Sequence, residues 1–191
     1  MKKTAIDKVF EQYETMKSFL EQQKEISLLN DYTNTFRKIL ILSCGSYFEA
    51  EITQLLKEYS SKCSQGDHRL SNFIYNQAIC GRYYSLFDWG KQNDPCGAGS
   101  NANKFYKLFG DEFTSEIKAD LNMDPTSLGT SKEDTNNSVK EFIKIGHLRN
   151  IVVHSNFAEY IYEQHTPEEI YSIYKNATLF IDYIRYKLLE S

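Results

Sequence analysis

The chain has 191 residues, enough for one domain, and its 26 acidic residues outnumber the 22 lysines and arginines, giving a formal net charge of −4. This charge argues against a surface that coats nucleic acid, although one basic face can lie on an acidic protein. A hydrophobic content of 41% with only three prolines and nine glycines excludes overall disorder and favours long helices over many short strands.

The first half of the chain is predicted to contain three helices. Apolar residues recur every three or four positions over residues 4–24, which predicts an amphipathic first helix. Asn30 or Asp31 is a suitable N-cap for a second helix of nearly thirty residues, which we expect to be the backbone of the fold. After a break at residues 60–67, a mixed helical pattern predicts a third helix that ends near residues 89–90.

Two segments rich in turn formers are predicted to be long surface loops. They cover residues 90–103 and 122–137, where periodic apolar residues are absent. Between them, residues 105–117 predict one or two short helices interrupted around Gly110. Loops of this length in a small domain are often functional or mobile.

Two capping boxes predict where the last two helices begin. In each box a hydroxyl and a carboxylate satisfy backbone N–H groups that have no helical partner. Ser138 and Glu141 predict a helix that continues to about residue 157. Thr166 and Glu169, with a proline between them, predict a closing helix. No strand-like alternation exceeds five residues, so we predict an all-α fold.

The predicted architecture is a single domain over residues 1–191, a bundle of about five to seven helices. The longest apolar run covers residues 39–42, far short of the roughly 18 to 20 residues of a membrane span. Charged residues occupy the place of a signal peptide's apolar segment, so we expect a cytoplasmic protein with no membrane partner. The cysteines, at positions 44, 63, 80 and 96, form no Cys-x-x-Cys pair, which predicts reduced thiols and no metal site.

The helix predicted to start at Ser138 is the most basic segment of this acidic chain. Its cations are opposed by a single acid, Glu141, and comprise Lys140, Lys144, His147, Arg149 and His154. A solvated helix face is the simplest interpretation of such a pattern. The alternative is a site for phosphate groups, since charges four residues apart lie along one side of a helix.

Arg149, Asn150 and His154 carry the chemistry that such a site needs. Histidine can give or take a proton near neutral pH, and arginine offers a fixed positive fork to phosphate oxygens. On a helix, Asn150 and His154 are about 40° apart and share a face, whereas Arg149 lies about 140° from His154. Only the length of the arginine side chain bridges that angle.

The order of Arg149, the polar Asn150, the apolar residues 151–153 and His154 resembles the signature of the HEPN (higher eukaryotes and prokaryotes nucleotide-binding) superfamily. Its members are small α-helical bundles with this motif on a late helix, and the predicted order of elements is similar. A stretch of the long second helix resembles the RiboL-PSP type of HEPN domain, through Ser43, Tyr47, Phe48 and Glu49.

The resemblance implies a metal-independent endoribonuclease without a cofactor, such as a toxin or a phage-defence effector. Two copies of the motif helix would meet in one composite site of a homodimer, where a ribose 2′-hydroxyl attacks the adjacent phosphate. His154 would act as general acid or base, Arg149 would hold the scissile phosphate, and Asn150 would position one of them. Glu49 would orient Arg149 or His154, unless it is an ordinary surface carboxylate.

The remaining expectations concern substrate and partners. Lys144, His147 and Ser46 are expected to contact RNA, and Gly45 and Ser46 to allow close approach of the two copies. An antitoxin or a defence-system protein is a further expected partner. The alternative function is a non-catalytic HEPN module that binds RNA, a nucleotide or a protein.

Two further features limit these expectations. One HEPN group carries, two residues after the histidine, a tyrosine that a partner nucleotidyltransferase modifies; here that position is Asn156, so we do not expect this regulation. A dense aromatic cluster could stack on bases, but its helical spacing favours a place in the core; it comprises Tyr83, Tyr84, Phe87 and Trp89.

Overall fold

The computed structural model describes residues 3–91, 94, 96–122 and 132–190. These residues form eight α-helices and no β-strand, which confirms the all-α prediction. In chain order the helices are α1 (Ala5–Gln22), α2 (Ile26–Cys63), α3 (His68–Ile74), α4 (Tyr83–Leu86), α5 (Asn103–Tyr106), α6 (Asp111–Asn122), α7 (Lys132–His154) and α8 (Pro167–Arg185). None of these described helices combines the length and the apolar character that crossing a bilayer would require.

The closing helix begins as predicted. Thr166 caps α8, its hydroxyl accepting from the Glu169 N–H at 3.2 Å while the Glu169 carboxylate accepts from the Thr166 N–H at 2.7 Å. Thr4 and Asp7 form a second capping box at the start of α1. Because a capping box involves only residues three apart, its sequence pattern is informative by itself.

The predicted start of the second helix is wrong. Helix α2 begins at Ile26 and has 38 residues, so Asn30 and Asp31 lie inside it. Its N-cap, Glu25, makes no side-chain capping bond. Lys24 adopts a φ of 59°, which turns the chain sharply between α1 and α2 and leaves no linker in which a later cap could act.

The predicted start of the motif helix is also wrong. Helix α7 begins at Lys132, and Ser138 is buried inside it, where its hydroxyl donates to the Thr135 carbonyl at 2.7 Å. A serine in mid-helix can bond back to the preceding turn in this way instead of capping. The predicted loop 122–137 is therefore helical from residue 132, and residues 123–131 lie outside the described residues.

The middle of the chain is more broken than predicted. The third helix does not run on to residues 89–90, because α3 passes into a π-helical turn at Tyr75–Ile79 and Gly81 then adopts a φ of 66°. The break predicted around Gly110 is confirmed, with a φ of 97° between a 3₁₀ turn and α6. Where it is described, the segment between α4 and α5 is non-helical and folds back on itself through Gly99 N–H to Trp89 carbonyl.

The core lies between α2, α7 and α8, with α1 packed against α2. Phe142 of α7 is fully buried at its centre, with ring centroids 5.1 Å from Phe48, 4.8 Å from Phe180 and 5.0 Å from Phe87. The predicted core position of the aromatic cluster is thus confirmed for Phe87, and Trp89 is also buried. This packing fixes one side of α7 and leaves its other side to form the site.

Candidate functional site

The second half of α7 forms one wall of a cleft of about 460 Å³. Arg149, Asn150 and His154 all line it, and Tyr84 and Trp89 line it from the segment that begins at α4. The structure therefore gathers the three motif residues at one concave surface, with an aromatic wall facing them.

Arg149 is held from two sides. A Cβ added to Gly45 of α2 would lie 2.7 Å from Arg149 Cγ, so only a glycine lets α2 approach the arginine stem this closely. At the other end, the guanidinium carbon lies 4.0 Å from the centroid of the Tyr84 ring, a cation–π contact. The charged fork therefore has a fixed place in the cleft.

Tyr84 is itself anchored. Its hydroxyl donates to Glu49 Oε2 at 2.9 Å, and its carbonyl accepts from the Trp89 indole N–H at 2.9 Å. Burial, followed by the hydrogen bond to Glu49, raises the pKa of Tyr84, so the hydroxyl stays a donor at neutral pH. Glu49 thus bonds to the tyrosine whose ring lies against Arg149.

His154 is the last residue of α7, and its side chain is exposed. Asn150 lies one turn earlier and is half-buried. The exposed position leaves the imidazole accessible to a ligand in the cleft, a requirement for a group that transfers protons to and from a substrate.

His147 reaches the cleft from a different environment. It is only 2% exposed, and its Nε2–H donates to the Asp94 carbonyl at 2.7 Å. The imidazole therefore holds the segment after Trp89 against α7, while one part of it lines the cleft. Ser46 is exposed on α2 and Lys144 points elsewhere, and neither lines the cleft.

Two features of the site were not assigned from the sequence. The sequence predicts Tyr84 only as a member of an aromatic cluster, and nothing in the local pattern distinguishes it from Tyr83, which is buried. Gly45 was expected to face a second copy of the chain, but it is buried against Arg149 of its own chain. A glycine inside a helix of good helix formers indicates that another part of the structure lies close to it. It does not indicate which part.

The described part of the chain contains no group of three or more His, Cys, Asp or Glu side chains placed to hold a metal ion. The charged and titratable groups that line the cleft are instead Arg149, His154, the buried His147 and Tyr84, with Glu49 behind Tyr84. Such a set can bind an anion and exchange protons with it.

Comparison with known protein families identifies a match over nearly the whole chain. A sequence model of the family described as RiboL-PSP-HEPN matches residues 7–190. No curated protein and no solved structure matches the chain. The matched range includes both the long helix α2 and the residues of the cleft.

Proposed function

The chain belongs to the RiboL-PSP-HEPN family, and from this membership we propose that it is a metal-independent endoribonuclease that cuts RNA in a site shared by two copies. The observation that carries the proposal is the position of Arg149, fixed over Tyr84 in the cleft that His154 also lines. An RNA-cutting activity of this kind suits a toxin or a phage-defence effector.

The proposed reaction uses the RNA's own nucleophile. One His154 takes the proton of a ribose 2′-hydroxyl as its oxygen bonds to the adjacent phosphorus, and a second His154 gives a proton to the departing 5′-oxygen as the P–O5′ bond breaks. The products are a 2′,3′-cyclic phosphate and a 5′-hydroxyl. Arg149 offsets the negative charge that grows on the phosphate oxygens.

The need for a second copy follows from this count of groups. The reaction uses one base and one acid, while a single cleft contains one accessible imidazole, since His147 is buried and bonded to Asp94. A twofold axis would supply the second. The surface beside the cleft suits such a contact, because Val153 is 46% exposed and Phe157 is 40% exposed.

Cleavage of RNA in excess chelator tests the activity. We expect the wild-type protein to leave cyclic-phosphate 3′ ends, and His154→Ala to lower the rate by at least about 100-fold, the usual contribution of a general acid or base. His68→Ala is the matched control, since His68 is exposed on α3 and does not line the cleft. Equal cleavage by His154→Ala and wild type, both folded by circular dichroism, would refute the mechanism.

A mixed dimer tests the shared site. If each copy cuts alone, a dimer of one wild-type chain and one His154→Ala chain keeps half of the wild-type rate. If both imidazoles act on one phosphate, the mixed dimer falls far below half. Cleavage by a protein that sediments as a monomer at micromolar concentration would contradict the shared site.

The second candidate function is a HEPN module that binds RNA, a nucleotide or a protein without turnover. The acidic net charge and the single accessible imidazole in the cleft favour it. In that case Arg149→Ala abolishes binding, His154→Ala leaves it intact, and no cleavage is seen with either variant or with the wild type.

A further inference from the structure

A second pocket lies on the same face of α7, before the cleft. It has a volume of about 540 Å³, and its basic lining comes from Lys140, Lys144 and His165. Ser100 and Gln164 line it with polar side chains from the segments on either side. His165 lies directly before Thr166, the N-cap of α8.

The contact between Lys144 and His165 keeps this pocket positive. Lys144 Nζ lies 2.8 Å from His165 Nε2, and because an ammonium group can only donate, the imidazole accepts. The remaining ring nitrogen meets the Tyr162 hydroxyl. Burial, and then the charge of Lys144, lowers the pKa of His165, so the imidazole is neutral. A neutral imidazole holds the ammonium group in place and leaves its charge intact, whereas a carboxylate would cancel that charge.

No acidic side chain is among the described residues that line the pocket, and the nearest carboxylates are bonded to backbone groups outside it. Glu169 Oε2 accepts from the Thr166 N–H at 2.7 Å, and Asp94 Oδ1 accepts from the Cys96 N–H at 3.0 Å. Glu141 precedes Lys144 by one turn but does not line the pocket. None of the ion pairs among the described residues involves Lys140 or Lys144. An anion is therefore the class of ligand that the pocket suits.

The position of the pocket indicates which anion. Lys144 and Arg149 are about 140° apart around the helix, but Lys140 and His154 are only about 40° apart and about 21 Å apart along the axis, so the pocket and the His154 side of the cleft share a face. Between the pocket and the cleft, the bond from His147 to the Asp94 carbonyl holds the dividing segment in place. A strand lying along this face of α7 would meet both sites, each at a phosphate.

From this geometry we infer that the pocket of Lys140, Lys144 and His165 binds a backbone phosphate of an RNA strand, a few nucleotides from the phosphate in the cleft. The inference rests on the proposed function for its ligand class. It adds a site that fixes the register of the strand but takes no part in the chemistry.

The test uses RNA that cannot be cut, with 2′-O-methyl groups at every ribose. Its affinity is measured against salt concentration for a long strand and for a dinucleotide that fills the cleft alone. Each phosphate contact on a single strand contributes about 0.7 to the slope of log affinity against log salt. We expect Lys140→Gln/Lys144→Gln to lower the slope by about 0.7 for the long strand and to leave that of the dinucleotide unchanged.

Lys118→Gln is the matched control, because Lys118 is exposed on α6 and lines neither pocket. It removes one positive charge and should leave the slope of the long strand as in wild type. An unchanged slope in the double variant, or an equal loss in the control, would overturn the inference.

Titration of His165 by NMR gives a readout that a structural role would not move. A phosphate beside Lys144 screens its charge, so the pKa of His165 should rise with the long strand and not with the dinucleotide. A rise with inorganic phosphate alone, and none with the long strand, would assign the pocket to a free anion and overturn the RNA register.

These measurements separate the two proposals. Wild-type cleavage of ordinary RNA together with an unchanged slope in the double variant refutes the second site and leaves the nuclease. A lowered slope in a protein that never cleaves RNA refutes the nuclease and supports the second site.

Discussion

Gly45→Ala is expected to separate the stability of the fold from the position of Arg149. The new methyl carbon would lie 2.7 Å from Arg149 Cγ and 3.0 Å from its Cβ, whereas carbon atoms in contact are about 3.5 to 4.0 Å apart. The arginine stem must therefore shift by about 1 Å. Overpacking of this kind costs about 1–3 kcal/mol, while alanine in place of glycine stabilises a helix by about 1 kcal/mol.

The two effects nearly offset each other in the free energy of unfolding, which we expect to fall by no more than about 2 kcal/mol. The rate of RNA cleavage should be affected more than the free energy of unfolding. A displacement of about 1 Å at a positioned group can cost on the order of 100-fold in rate, so RNA cleavage should fall by about that factor. Urea unfolding followed by circular dichroism, and cleavage of a labelled RNA, measure the two quantities. Ser61→Ala, at an exposed position of the same helix, is the control for helix propensity.

A double-mutant cycle decides whether the contact is the cause. In an Arg149→Ala background most of the clashing atoms are gone, so Gly45→Ala should become neutral or stabilising. The coupling energy should then be at least about 1 kcal/mol. Equal destabilisation in both backgrounds, or full activity of the single variant, would show that Gly45 does not position Arg149.

Three further substitutions test the fold around the site. Burial raises the pKa of the Asp7 carboxyl group, but hydrogen bonds, led by that from Tyr171, outweigh burial and bring the pKa down to about 2. The difference from the ordinary pKa of 3.8 corresponds to about 2.4 kcal/mol of folding stability. That stability is complete above about pH 4 and is lost as the pH falls towards 2, so Asp7→Asn should flatten urea stability over this range; an unchanged pH profile would contradict it. Thr166→Ala should cost about 1 kcal/mol in urea unfolding through loss of the α8 cap, and an unchanged midpoint would show that the cap contributes nothing. Gly146→Ala would place a Cβ 2.0 Å from the Trp89 ring and should destabilise by about 1–3 kcal/mol in the same assay; a more stable variant would refute that packing.

The two capping boxes predicted from the sequence show what a local pattern can and cannot determine. Thr166 and Glu169 begin α8 as predicted, because a preceding turn leaves the chain free to start a helix there. Ser138 and Glu141 have the same spacing, yet Ser138 lies inside α7 and bonds to the Thr135 carbonyl. A serine hydroxyl can satisfy either arrangement, so the capping pattern alone could not locate the start of α7.

The residues of the site also divide into those that the sequence predicts and those that only tertiary packing brings there. The resemblance to HEPN domains singles out Arg149 and His154, and a helix fixes the relation between residues so close in sequence. The tyrosine that carries the guanidinium lies on α4, a helix of only four residues whose position depends on tertiary packing. The place of His165 is equally invisible in the sequence, since its contact with Lys144 joins residues on separate segments.

Trp89 is the only tryptophan in the chain, and it lines the cleft with its indole N–H bonded to Tyr84. Tryptophan emission therefore comes from a single residue, which lies beside Arg149 and Tyr84 in the cleft. A change in tryptophan emission reports a ligand in the cleft without any label. The second pocket has no tryptophan in its lining, so emission and the titration of His165 follow the two sites independently.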